Sequence, residues 1–307
     1  MININITNKK SKKAEITPKA TIQGMTLLGD NRLAVCKEKE IMIYSDKSFK
    51  LVLNFKTEYE IQFNGCMTGL SNGNLLIVEK CKHLKIYNVS KKKQKLVQKI
   101  ELDIIWSNPD IIELDNKGLA IKTSLRTIIF YNLNYDDTYY EEYNMVDDNV
   151  GEMWGFVQVA ENMLCVSCRK NGDDYIGFYD LDKKKCVAKV GGVPLPSHGF
   201  KLSEEYVIFF WKEFIYLISI DRQELTFKYE TEPSKNKDTN TIHCCCRLTN
   251  NMILLGDHNY NLIQCKVEDG EITEIEKIKG KFFNNDICLL GDGHIAVNKD
   301  NRFIKIW

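Results

Sequence analysis

The chain has 307 residues, of which 44% are hydrophobic and 27% are charged. This apolar content is enough to bury a substantial core, which excludes a mostly disordered chain. Lysine plus arginine and aspartate plus glutamate both number 42, so the net charge is zero, which argues against general coating of nucleic acid or of an anionic membrane.

Neither a secretory signal nor a membrane span is evident in the sequence. At the N-terminus isoleucine alternates with polar residues, and the lysines follow this stretch instead of preceding it. The chain has 11 cysteines, an odd number, and most of them lie in apolar runs typical of strands. Reduced, buried thiols fit this pattern better than a disulfide framework. We therefore expect a cytoplasmic protein, with the nucleus as the alternative.

A unit of roughly 44 residues repeats along almost the whole chain. In each unit a turn rich in Gly, Asn, Asp or Glu leads into a short apolar strand, and a second strand with alternating apolar positions follows. The first strands have these anchor residues: Leu33, Leu75, Leu119, Leu164, Val207, Ile253 and Ile295. The second strands are 41–44, 84–87, 128–131, 176–179, 215–218, 262–265 and 304–307. A repeat of this length, with short alternating strands, is typical of propeller blades.

The repeat predicts an all-β fold, a seven-bladed β-propeller of four-stranded antiparallel blades within one domain, 1–307. We label the strands of each blade a, b, c and d, with a innermost; the first strands above are b and the second are c. Blades are expected to begin near residues 20, 61, 106, 153, 198, 241 and 284. The last strand c ends at Trp307, so we expect the segment 1–19 to supply the missing strand d, through 2–7 or 14–17, and to close the ring.

The final unit resembles the WD40-repeat family. Residues 298–307 read Asn-Lys-Asp-Asn-Arg-Phe-Ile-Lys-Ile-Trp, with the turn, strand and terminal tryptophan of that family. Tyr179 followed by Asp180, with Asp173 in the turn before, is a weaker match. No Gly-His dipeptide starts a blade and no Trp-Asp pair occurs in the sequence, so the His–Ser/Thr–Asp–Trp network of the family is expected to be mostly absent. The resemblance implies a non-catalytic platform for assembling protein complexes.

The topology of a propeller predicts which loops form a binding face. The b–c turns and the d–a loops lie at the same end of the blades, and aromatic and arginine side chains are the usual anchors of protein interfaces. We expect a partner protein or peptide to bind there, with the propeller as a monomer inside a hetero-complex. The d–a loops are predicted to contribute Trp106, Trp154, Phe282 and Phe283, and the b–c turns Arg126, Arg169, Trp211 and Arg302.

An enzyme that uses the central channel is one alternative. The run 243–246, His-Cys-Cys-Cys, lies in the predicted strand a of the sixth blade. Strand alternation would place Cys244 and Cys246 on one side, and His243 and Cys245 on the other. A Cys–His nucleophile also needs a third group to orient it, and none is identifiable in the sequence. We therefore expect no catalytic residues.

We expect no metal ion and no cofactor. Cys165 and Cys168 form one Cys-x-x-Cys pair, but a strand would direct the two thiols to opposite faces. The acidic residues between 136 and 152 lack the full EF-hand spacing. A second alternative function, reading acidic or phosphorylated ligands, is suggested by the lysine-rich c–d turns 91–95 and 183–185. The zero net charge weighs against it.

Overall fold

The fold was analysed in a computed structural model. It describes residues 14–16, 22–45, 47–59, 61, 67–80, 82–90, 93–101, 110–116, 118–132, 140–144, 152–194, 196, 198–231, 242–257, 261–279, 287–290, 293–299 and 303–306. Within these ranges all regular elements are β-strands, joined in four-stranded sheets. The strand pairs are antiparallel. This confirms the prediction of an all-β chain with four-stranded antiparallel sheets. No helix in the described ranges is long and apolar enough to cross a membrane.

The strands lie where the repeat predicted them, because β-branched and aromatic residues concentrate in these segments and Gly, Asn and Asp in the turns between them. In chain order they are β1 (Ala14–Ile16), β2 (Gly24–Leu27), β3 (Leu33–Lys37), β4 (Glu40–Tyr44), β5 (Leu51–Lys56), β6 (Met67–Gly69), β7 (Leu75–Glu79), β8 (His83–Val89), β9 (Gln94–Glu101), β10 (Ile111–Glu113), β11 (Gly118–Lys122), β12 (Thr127–Asn132), β13 (Tyr140–Asn144), β14 (Glu152–Ala160), β15 (Met163–Lys170), β16 (Asp173–Asp180), β17 (Lys185–Gly191), β18 (His198–Lys201), β19 (Tyr206–Trp211), β20 (Phe214–Ser219), β21 (Glu224–Glu230), β22 (Ile242–Thr249), β23 (Met252–Asp257), β24 (Asn261–Glu268), β25 (Glu271–Lys279), β26 (Ile287–Leu289), β27 (Ile295–Lys299) and β28 (Phe303–Ile306).

Six sheets in the described part of the chain are meanders of four consecutive strands. We number them in chain order: sheet 1 (β2–β5), sheet 2 (β6–β9), sheet 3 (β10–β13), sheet 4 (β14–β17), sheet 5 (β18–β21) and sheet 6 (β22–β25). Sheet 7 has the order β1–β28–β27–β26, so an N-terminal strand completes the C-terminal sheet. Ala14 lies opposite Ile306, and Ile16 opposite Ile304.

Of the two N-terminal segments predicted to pair here, 14–17 therefore contains the strand that does so. The other, 2–7, lies outside the described residues. That this pairing closes a ring of seven blades stays a prediction, as does the single domain.

The chain divides into two compact units, and the first comprises Met1–Ile111 with Ile278–Trp307. It holds sheets 7, 1 and 2. Sheets 1 and 7 share a hydrophobic cluster in which Val35 and Tyr44 pack with Leu290 and Ala296. The inner strands β2 and β6 of sheets 1 and 2 approach so closely that a Cβ on Gly69 would lie 1.9 Å from the backbone oxygen of Leu27. Only glycine fits this close approach of two backbones.

Arg32 joins sheets 1 and 2 at another point of the first unit. Its side chain is nearly buried, and its Nε lies 2.7 Å from Oδ2 of Asp30. Its Nη2 donates a hydrogen bond to the carbonyl oxygen of Val89 in β8. The guanidinium thus ties the turn before β3 to the neighbouring sheet.

The second unit, Ile112–Lys277, holds sheets 3 to 6. Each pair of neighbouring sheets in it shares a hydrophobic cluster. Sheets 3 and 4 pack through Ala120 and Val166, for example, and sheets 5 and 6 through Leu217 and Ile263. Sheet 4 packs on sheet 5 through a further cluster that includes Phe178. Because successive residues of a strand face opposite sides, every sheet here can fill a core on both faces.

A β-bulge recurs in the outer strand d of sheets 1, 2, 4 and 5. In sheet 1, Ile43 lies opposite Leu53 and Tyr44 opposite Leu51, so that Val52 is the extra residue. The extra residues in the other three sheets are Val97, Val187 and Thr226. A bulge bends and twists its strand locally and leaves one residue without a partner on the neighbouring strand.

Candidate functional site

The b–c turns contact the start of the next sheet at three places, and these contacts define one end of the sheets, which we call the b–c end. In sheet 1 the oxygen of Glu38 accepts a hydrogen bond from the nitrogen of Ile61 at 2.8 Å. The oxygen of Leu125 accepts from Met153 at 2.6 Å, and that of Lys212 from Ile242 at 2.5 Å. Each bond fixes a b–c turn against the chain that enters the following sheet.

Sheet 4 carries an open groove at its b–c end, with a volume of about 670 Å³. One wall is the turn from Lys170 to Tyr175, and the other is formed by Lys189 and the segment from Gly191 to Pro194. The turn has the Asn-Gly sequence that favours two left-handed residues, and Asn171 and Gly172 have φ of 53° and 92°. A Cβ placed on Gly191 would meet no atom within 4 Å, so the backbone of this wall faces open space.

The groove carries charges of both signs beside an aromatic ring. Arg169 pairs with Asp174 through two hydrogen bonds, Nε to Oδ1 at 2.7 Å and Nη2 to Oδ2 at 3.1 Å. The hydrogen bonds to Asp174 raise the pKa of the Arg169 guanidinium above its ordinary value. The Nζ atom of Lys189 lies 4.8 Å from the centre of the Tyr175 ring. A ligand in the groove would therefore meet fixed polar groups and a tyrosine that is itself nearly buried.

Two of the predicted binding residues lie close to the b–c end of sheets 3 and 4. Arg126 is exposed in the b–c turn of sheet 3, as predicted. Trp154, predicted in a d–a loop, lies instead within strand β14, so that prediction was wrong. Arg126 follows Leu125 and Trp154 follows Met153, so the hydrogen bond between Leu125 and Met153 places Arg126 near Trp154.

A β-bulge explains why Trp154 lies in strand β14 instead of the predicted d–a loop. The register of β14 against β15 shifts between Met153 and Gly155, so Trp154 is the extra residue of a bulge that lengthens the inner strand. Its carbonyl oxygen accepts a hydrogen bond of 2.5 Å from Nζ of the buried Lys122. The Trp154 indole is half-buried, and its Nε1 has no hydrogen-bond partner in the described part of the chain.

Arg169 and Trp211 lie at the ends of strands b, in β15 and β19, next to the turns in which they were predicted. Arg169 is exposed and Trp211 half-buried. The remaining predicted binding residues fall outside the described residues; they are Trp106, Phe282, Phe283 and Arg302. The groove on sheet 4 was not predicted, although the Asn-Gly turn and the Gly191–Gly192 pair were signals for it.

A buried charge network at the b–c end of sheet 2 was also missed. Lys85 in β8 lies 2.8 Å from Oε2 of Glu79 in β7 and 2.8 Å from Oε2 of Glu58. The same Glu79 oxygen accepts a hydrogen bond of 3.1 Å from the nitrogen of Tyr59. Burial opposes the charge of Lys85, but the hydrogen bonds from its ammonium to Glu58 and Glu79 prevail and raise the pKa of Lys85. The network joins the chain that enters sheet 2 to two of its strands.

Aromatic contacts extend this network to its surface. The Tyr59 ring stacks on His83 with 5.3 Å between ring centres, and the Nζ atom of Lys80 lies 4.0 Å from the Tyr59 ring centre.

Six of the described cysteines have a raised pKa, chiefly through burial, and so lack the lowered pKa of a nucleophilic thiol. The nine cysteines that the structure describes form no disulfide bond with one another. Burial raises the pKa of Cys246 to about 12, and that of Cys245 well above its ordinary value. The register of β22 shifts between Ile242 and Cys244, so His243 has no opposite residue in β23. Cys244, Cys245 and Cys246 pair in regular register, which fits the alternation predicted for these three. Cys165 and Cys168 join different hydrophobic clusters on opposite faces of β15, as predicted.

Raising the pH from about 7.5 to about 10.5 should lower the free energy of unfolding by about 4 kcal/mol through Cys168 and Cys265, about 2 kcal/mol each. Both side chains are fully buried, and burial raises each pKa to about 12 from an ordinary value of 9.0. The unfolded chain therefore loses these protons first, and stability falls as the pH rises from 9 towards 12. Denaturant unfolding at the two pH values measures the effect. A Cys168→Ala/Cys265→Ala variant should show the smaller fall, and an equal fall in both proteins would contradict the assignment.

Among the described residues, no group of three or more His, Cys, Asp or Glu side chains is placed to hold a metal ion. The predicted absence of a metal ion and of a cofactor stays a prediction.

No family model and no curated protein matches the chain. A chain in the crystal structure of the mitotic checkpoint complex is similar in structure, with a TM-score of 0.75 and 9% sequence identity. The match covers 97% of this chain and 94% of that chain. This likeness supports the WD40-like β-propeller fold that the sequence predicted. Solved chains that match number 1299, so the fold is widespread and does not define a function by itself.

Proposed function

We propose that the chain is a non-catalytic platform that binds other proteins within a multiprotein complex, through the b–c end of its sheets. The observation that carries the proposal is the groove on sheet 4. Grooves that combine an aromatic ring with a few fixed polar groups are typical binding sites. The similar chain of known structure belongs to the mitotic checkpoint complex, and this supports a role in a protein assembly.

The groove suits an extended peptide better than a small reactant. It is open to solvent, and its glycine wall leaves the backbone uncovered beside Val193 and Pro194. Lys170 and Asp173 offer charges of both signs on the opposite wall. The groove lining contains no cysteine, serine or histidine. The described thiols with shifted pKa values elsewhere are shifted upwards, which weakens them as nucleophiles. These observations favour binding over catalysis.

The proposal includes a closed seven-bladed ring that is monomeric in its complex and acts in the cytoplasm or the nucleus. The pairing of β1 with β28 supports closure, because it joins the two ends of the chain in one sheet. The reduced cysteines support a reducing compartment.

Filling the groove should release a partner. Gly191 has room for a larger side chain, and its φ lies outside the left-handed region, so Gly191→Trp should fold normally and obstruct the groove. Glu161→Trp is the matched control, because Glu161 is exposed in the a–b turn at the opposite end of the same sheet. After affinity purification from the source cells, we expect native protein and Glu161→Trp to retain the same stoichiometric partners. Gly191→Trp should lose at least one partner by roughly tenfold.

Retention of every partner by Gly191→Trp would show that the groove is not the binding site. Recovery of no stoichiometric partner with the native protein would contradict the platform function itself. Thermal melts of the three proteins should agree within a few degrees, which separates loss of binding from loss of folding.

A further inference from the structure

The outer strand of sheet 2, β9, is an exposed edge with apolar side chains. It ends the strand order β6–β7–β8–β9, and β8 is its one strand partner among the described residues. Leu96 and Val97 are 43% and 55% exposed. Large exposed hydrophobic residues occur on four outer strands in the described ranges, but only β9 carries two in adjacent positions.

The bulge in β9 explains how two adjacent apolar residues both reach solvent. Ile86 lies opposite Gln98 and Tyr87 opposite Leu96, so Val97 has no opposite residue. In a regular strand, neighbours point to opposite faces of the sheet, and one of them would be covered where a second sheet packs. A bulge redirects the side chains around it. The result is an apolar pair at the edge of sheet 2.

The charges around this pair are mainly positive. Lys93, Lys95 and Lys99 are exposed, and Glu101 is the one acidic residue between 93 and 101, which leaves three positive charges against one negative. The outer strand β25 has the opposite character, because Glu271 and Glu274 lie near its exposed apolar residue, Ile275. A ligand that complements β9 must therefore be acidic as well as apolar.

We propose that β9 is a docking strand for an extended, acidic and apolar peptide segment of a partner protein. The segment would pair with the edge of β9 through main-chain hydrogen bonds, as peptides do when they add a strand to a sheet. Its apolar side chains would cover Leu96 and Val97, and its carboxylates would lie near Lys95 and Lys99. None of these residues lines the groove on sheet 4, so the two sites are separate and each can fail without the other.

The probe is a displayed library of random ten-residue peptides, selected on the full chain, followed by fluorescence polarisation with the most enriched peptide. We expect enrichment of sequences that combine Asp or Glu with Val, Ile, Leu or Phe. Leu96→Ser/Val97→Ser and Lys95→Glu/Lys99→Glu should each weaken binding of that peptide tenfold or more. Leu51→Ser/Lys56→Glu is the matched control, because β5 has the same bulge but one exposed apolar residue, and it should bind like the native chain.

Two further readouts identify the mode of binding. Hydrogen exchange at the backbone amides of residues 94–99 should slow when the peptide binds, because strand pairing covers the N–H groups of the edge. Gly191→Trp should leave peptide binding unchanged. The proposal would be overturned if the selection did not enrich acidic and apolar sequences, or if the β9 variants bound the peptide as tightly as the native chain. It would also be overturned if the chain bound vesicles that contain phosphatidylserine but no selected peptide.

Discussion

Replacing Lys85 by methionine should lower the free energy of unfolding by about 3–5 kcal/mol, because it leaves a buried carboxylate without its counter-charge. The side chains of Glu79 and Lys85 are 0% and 3% exposed, and their charged atoms lie 2.8 Å apart. Oε1 of Glu79 already has no hydrogen-bond partner in the described part of the chain. In Lys85→Met the other oxygen would keep the backbone N–H of Tyr59 but lose its ammonium partner. Urea unfolding at neutral pH measures the loss.

Two variants test whether the effect comes from an uncompensated charge. In Glu79→Leu/Lys85→Met both charges are removed, and most of the lost stability should return, since an apolar pair of similar volume can replace a buried ion pair. Arg169→Met removes the partner of Asp174 at a half-exposed site and should change stability by less than about 1 kcal/mol. If the double variant is as unstable as Lys85→Met, Lys85 acts through packing instead of charge.

Deleting residues 1–19 should produce the second large effect, a fall in melting temperature of roughly 10 °C together with aggregation. The deletion removes β1 and exposes the edge of β28, which pairs with β1 from Ile304 to Ile306. An unpaired edge presents a row of N–H and C=O groups to other chains. If the ring is closed through this sheet, the loss destabilises the sheets on both sides of the junction. Differential scanning calorimetry and light scattering measure the two outcomes.

A shorter deletion is the control. Removing residues 1–10 leaves Ala14–Ile16 in place and should change the melting temperature by no more than about 2 °C. A full-length melting temperature after deletion of 1–19 would show that β1 contributes little and would place the closed ring in doubt.

The sequence predicted the strands well, because their signal is repeated. The strands c predicted at 41–44 and 176–179 lie inside β4 and β16, and both end in an aromatic residue that packs in the core. One such match would carry little weight, but the same pattern at a regular spacing averages out local ambiguity. The choice between 2–7 and 14–17 as the closing strand stayed open because both segments alternate in polarity over only a few residues.

The errors in the predicted site come from features that do not repeat. The position of Trp154 depends on a single-residue bulge, which changes one register without changing the polarity pattern. Lys85 looks like a solvent-facing residue of an amphipathic strand, and its burial depends on Glu79, six residues earlier, and on Glu58 in the preceding connection. The one local signal was that Glu79 follows four apolar residues without a break. Local periodicity contains no information about which segments distant in sequence pair with one another.

The native mass of the protein in a gently prepared extract tests the platform function most directly. Size-exclusion chromatography of the extract, followed by mass photometry of the tagged protein, determines whether the chain exists alone or in an assembly. We expect most of the native protein to belong to a particle with the mass of several chains, and we expect Gly191→Trp to shift it to a smaller particle. A native protein that behaves entirely as a single chain would contradict the platform function.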